Sequence, residues 1–193
     1  MNNKTKTIVG IGLLTAVIVI LQALGASIRF GMFSISFVLI PIIVGAALFG
    51  EAAGLWLGAV FGFVVLMTDA GLFLAISVPG TIITVMVKGM LAGLAAAFVY
   101  RKVEAKSALV AAILAGVAAP VCNTGVFLIG CRLFFYDTIK EWAAAAGFQS
   151  AGAYLIMGLA GVNFLVELAI NLVLSTVIVR IVGLGRKTVM TEE

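Results

Sequence analysis

The chain has 193 residues, 64% of them hydrophobic and 10% charged, a composition that excludes a soluble domain and leaves a polytopic membrane protein. Its net charge of +4 sits mostly at helix ends, which excludes a nucleic-acid surface and makes the charge a topology signal. There is no histidine, and the two cysteines, Cys122 and Cys131, lie about 13 Å apart along one helix, so zinc, haem and a disulfide between them are all excluded.

Residues 1–6 are short and basic. Residues 7–26 are apolar and long enough to span. The run is too long for a signal peptide and no A-x-A cleavage site follows it, so it is read as a first helix. Gly12 and Ala16 form a small-xxx-small pair on it, as do Ala23 and Ser27. Residues 27–34, with Arg29 and Gly31, read as a loop. A short second helix over 35–49 carries Pro41. The third, over 52–68, has Gly54, Gly58 and Gly62 four apart on one face. Such a stripe forms a groove into which another helix backbone can come close. Glu51 precedes this helix and suits its N-terminal dipole. Asp69 ends it in a cap or turn role.

Residues 71–79 form an apolar connection too short to span. A fourth helix covers 80–100, and 101–107 is a charged hairpin. The fifth, over 108–135, is bent by Pro120. Residues 136–152 are the one extended polar connection, with capping-box spacing at Thr138 and Glu141, a stop at Gly147 and Trp142 at the interface. Phe134, Phe135 and Tyr136 read as an interfacial belt. A sixth helix fills 153–182. The expected fold is all-α: one domain over 1–193, a compact bundle of six transmembrane helices. Placing both termini in the cytoplasm puts eight basic residues inside and three outside, in accord with the positive-inside rule.

Polar residues within these spans point to function. Asn163, Glu167, Asn171 and Ser175 follow at four-residue steps and form one slanting stripe. Thr81, Thr84 and Lys88 share a face of the fourth helix, and Asn123 and Thr124 follow the Pro120 bend. A charge at a helix centre in lipid costs about 2.5–3.5 kcal/mol, so Lys88 and Glu167 should face the interior. Two readings stand. They pair with each other and hold two helices in register, or they line a polar solute site with Asn123 and Asn163. Arg29 and Arg132 add positive charge near the outer mouth, or anchor to headgroups. GLGRKT at 183–188 lacks P-loop spacing, and neither a GxSxG nor a zinc motif occurs.

The six-span length, ISFVLIPIIVGAALFG with AGLWLGAVFG, VMVKGMLAGL, APVCNTGVFLIG and GVNFLVELAINLVLS together resemble the substrate-binding (S) component of an energy-coupling factor (ECF) vitamin importer. The resemblance covers nearly the whole chain. It implies an outer pocket built from helices four to six and covered by the loops at 27–34 and 71–79. It implies an AxxxA-type surface on the first helix for a membrane coupling subunit, matched here by Gly12–Ala16 with Gly in first place. It also implies two ABC-type ATPases as partners, residence in the plasma membrane and no enzymatic activity. Candidate solute ligands are Lys88, Thr84, Asn123, Asn163, Glu167, Arg29 and Arg132. The positive residues among them favour a carboxylate-bearing vitamin or precursor such as pantothenate. The alternative is a self-sufficient ion-coupled carrier or exporter. A membrane enzyme lacks a nucleophile and base pair.

Overall fold

The structure is a computed structural model that describes residues 3–26, 29–30, 33–34 and 37–190, with side chains described over 4–26 and 37–186. The first apolar run forms α1 (Asn3–Gly25). In the segment expected as a loop, β1 (Arg29–Phe30) pairs antiparallel with β2 (Phe33–Ser34). Then come α2 (Leu39–Phe49), α3 (Glu51–Thr68), the single turn α4 (Gly71–Leu74), α5 (Val78–Val103) and α6 (Ala108–Phe134). The polar connection carries α7 (Tyr136–Ala145). The last span is α8 (Ala151–Ala153), a π-helical segment (Tyr154–Gly161) and α9 (Val162–Val173), followed by α10 (Ser175–Met190).

Local chemistry explains the starts and stops. Ser77, Ser107 and Ser150 are N-caps whose hydroxyls accept from the backbone N–H of Gly80, Val110 and Ala153 at 3.2, 3.3 and 3.1 Å. Pro79 stands in the first turn of α5, where its missing N–H costs nothing. The expected capping box does not form. α7 begins at Tyr136 with Phe135 before it and no side-chain cap, which places Thr138 inside the first turn. Gly147 does follow the helix, at φ 77°, a left-handed conformation that suits glycine.

Among the described residues, five helices are long and apolar enough to cross a bilayer, and α2 is shorter. At 11 residues α2 is roughly 16 Å long, little more than half of a hydrocarbon core about 30 Å thick. Yet it is the most enclosed helix, with Leu39, Ile42, Ile43 and Ala46 fully buried. The last span is not the continuous helix that its apolar run implies. Asn171 Nδ2 donates to the carbonyl of Glu167 at 2.7 Å, and Ser175 Oγ donates to that of Leu172 at 2.7 Å. Side chains that bond the preceding turn bend a helix, and the break falls at Leu174 between them.

Backbone contact between α3 and α5 sets the centre. Gly54, Gly58 and Gly62 face Gly93, Gly89 and Val85 of α5. A Cβ on Gly58 would overlap the carbonyl of Gly89, and one on Gly62 would come within 2.9 Å of the Val85 oxygen. The groove expected from the glycine spacing is therefore filled by α5. Around this seam α2, α3, α5, α6 and α10 share one core of small and branched residues, including Leu57, Ala92, Ala96, Ala112, Ala115 and Ile178. A second cluster, around Phe73, Cys131, Phe135, Ile139 and Leu155, lies at the end where α4, α7 and α8 gather.

At the opposite end Arg186 pairs with Glu104 and donates to the carbonyl of Ala47 at 3.3 Å. Arg101 stands 3.6 Å from Glu51, so Glu51 has an ion partner besides the helix dipole. α1 is a peripheral span. Leu13, Val17, Ile20 and Leu24 are exposed along it, as expected of a helix solvated by lipid.

Candidate functional site

The second core cluster closes one end of a pocket lined by residues of α1, α3, α4, α5, α6 and α9. Five of the seven candidate ligands meet there: Thr84 and Lys88 from α5, Asn123 from α6, and Asn163 and Glu167 from α9. Pro120 lies within α6 one turn before Asn123. Thr84 lodges against Gly130 of α6, where any Cβ would collide with it.

Lys88 is held by aromatic faces rather than by an acid. Its Nζ lies 5.6 Å from the ring centroids of both Phe61 and Phe127, within cation–π range. It forms no ion pair among the described residues. Glu167 is 2% exposed and accepts from Asn163 Nδ2 at 3.4 Å through Oε1. Its Oε2, Asn123 Oδ1 and Thr84 Oγ1 are buried with no hydrogen-bond partner in the protein. A buried acceptor left unpaired costs about 1–3 kcal/mol, so these atoms call for a donor that the chain does not supply.

One candidate, Arg132, falls elsewhere. Arg132 points away from the pocket and lies over the ring of Tyr136, its guanidinium carbon 3.7 Å from the centroid. Its position at the exposed end of α6 explains this, because nothing there excludes water from the charge. Arg29 lies outside the residues whose side chains are described. Gly12 and Ala16 lie on the exposed face of α1, with open space beside Gly12.

The pocket also contains residues that sequence reasoning gave other roles. Asp69 is the C-cap of α3, but its carboxylate lines the pocket and accepts from Gln22 Nε2 at 2.7 Å. Gln22 is the one amide side chain in the apolar run of α1 and is 2% exposed. A buried amide in a membrane helix is itself a signal that the first helix reaches the site. Phe135, read as interfacial, is also 2% exposed and forms the roof with Phe73. Phe73 packs edge-on against Phe127, Phe135 and Trp142 at 5.7, 5.0 and 5.8 Å. Trp142, expected at the interface, packs against the roof.

The pocket contains two carboxylates and one ammonium, so the positive bias expected from Lys88, Arg29 and Arg132 does not hold for its described lining. No group of three or more metal-ligating side chains occurs among the described residues. Fold and site together define a multi-pass membrane protein with a pocket of aromatic walls into which a few charged and polar side chains converge. Over residues 6–179 the chain matches the family described as "ECF transporter, substrate-specific component", and it belongs to that family. Comparison with curated proteins and with solved structures gives no match.

Proposed function

We propose that this chain captures a small water-soluble vitamin or precursor in the Lys88–Glu167 chamber, on the outer side of the plasma membrane, and delivers it with a membrane coupling subunit and two ABC-type ATPases. The observation that carries the reading is the set of unpartnered buried atoms Glu167 Oε2, Asn123 Oδ1 and Thr84 Oγ1 around an unpaired Lys88, in a family of substrate-specific components. Lys88 meets an acceptor of the solute, a carboxylate or a ring carbonyl, and the oxygens receive its donors. The chain purified alone should bind the solute, and uptake should require the ATPases. Uptake into liposomes from an ion gradient alone would instead establish a self-sufficient carrier.

Two further results are expected. Gly12 and Ala16 stand open on α1, and bulk there would keep a partner helix away. Gly12→Leu/Ala16→Leu should abolish uptake and leave solute binding intact. Loss of binding in this variant would place α1's exposed face in solute capture instead. With both termini inside, Lys140 is outside and Lys102 inside. After replacement of Cys122 and Cys131, a cysteine at 140 should react with an impermeant thiol reagent on intact cells, and one at 102 should not. The reverse pattern would overturn the orientation.

A further inference from the structure

A second, smaller pocket adjoins the first and shares Lys88, Asn123, Phe127 and Asn163 with it. These four residues stand at the junction. Beyond them the two chambers differ. The first is walled by Phe61, Val65, Phe73 and Phe135, with Asp69 and Glu167 on its lining. The second adds only Thr124 of α6 and Leu159 and Ala160 of the π-helical segment. Among the described residues no carboxylate lines it, and Lys88 is its one ionisable group. π-helical turns are rare and often fall at functional sites. Here the π segment forms one wall of the cavity.

Resting on the solute-binding reading above, we infer that the solute is bipartite: a flat ring body in the first chamber and a short uncharged arm, bearing hydroxyl or amide groups, in the second. Aromatic walls on several sides suit a flat ring, which buries much area at little conformational cost. At the junction Asn123 Oδ1 is buried and unpartnered, so the group passing it carries an N–H or O–H. Thr124 and the amides of Asn123 and Asn163 each both donate and accept, which matches hydroxyls and amides equally well. A carboxylate in the second chamber would find no cation beyond Lys88 among the described lining, so an uncharged arm suits it better. Lys88 lies where ring and arm join and meets an acceptor on the ring edge.

The test uses the full chain in lipid nanodiscs and equilibrium dialysis with matched probes. Riboflavin is compared with lumichrome, and nicotinamide riboside with nicotinamide, each pair differing by a hydroxylated arm. Pantothenate serves as a solute without a ring. Any small molecule carried through purification is identified by mass spectrometry and added with its arm-less fragment. One arm-bearing ring compound should bind at least tenfold more tightly than its arm-less partner. Ala160→Leu, which fills the second chamber, should remove that advantage and leave the arm-less affinity unchanged. Thr124→Val, close in volume, should weaken only the arm-bearing compound, by about threefold or more, and covers the case in which Ala160→Leu does not fold. Equal affinity within a pair, insensitivity of the arm-bearing compound to both variants, or binding of pantothenate alone would overturn the bipartite solute and leave solute binding standing. If nothing binds and nothing is carried through purification, the solute-binding reading itself fails, and this inference with it.

Discussion

Lys88→Met is expected to weaken solute binding by about tenfold or more, on the order of 1.4 kcal/mol, while the bundle stays folded. Lys88 begins its turn roughly 15 Å from the start of α5 and lines the pocket. Its ammonium is flanked by two phenyl rings and has no ion pair. In such a site a charge-assisted hydrogen bond to the solute is poorly screened and correspondingly strong. Methionine keeps the length and apolar stem of lysine, so packing against Phe61 and Phe127 survives. Binding is followed by the fluorescence of Trp142, whose ring packs on Phe73 in the pocket roof. Folding is followed separately by thermal unfolding. A structural Lys88–Glu167 pair forecasts otherwise. Breaking it would strand Glu167 and lower stability, and Lys88→Met/Glu167→Gln would restore both stability and affinity. Native affinity in that double variant would sink the role assigned to Lys88.

The largest effect on stability is expected at the α3–α5 seam. A Cβ on Gly58 would overlap the carbonyl oxygen of Gly89 and crowd the Cα of Met90, so it meets backbone rather than a movable side chain. Gly58→Ala should cost about 1–3 kcal/mol, the usual penalty of overpacking. Gly58→Leu should prevent the two helices from closing and yield no monodisperse protein in detergent. Gly125→Ala in α6 is the control. Nothing lies within 4 Å of a Cβ there, and alanine gains up to about 1 kcal/mol of helix propensity. Equal stability of Gly58→Ala and Gly125→Ala would show that the seam is not a close backbone contact.

The class of protein and much of the pocket lining can be read from the residues alone. Intramembrane polar residues are few in an apolar chain, and their helical spacing and cost in lipid turn them inward, so Lys88, Thr84, Asn123, Asn163 and Glu167 were legible. The GxxxG spacing likewise announced a close helix contact, because only glycine leaves room for it. Which backbone fills that groove was a matter of tertiary structure, since Gly89 and Gly93 carry no mark of their partner. Asp69 and Phe135 looked like turn and interface residues because each ends a helix. Only the packing of α1, α4 and α7 over those ends turns them into pocket lining. Arg132 failed for the converse reason: sequence places it near the mouth, but a long side chain at an exposed helix end keeps its charge in water and lies over Tyr136. The second chamber was invisible for a related reason. It arises where the π-helical turn brings Leu159 and Ala160 opposite Thr124, and periodicity along one helix says nothing of the space left between two.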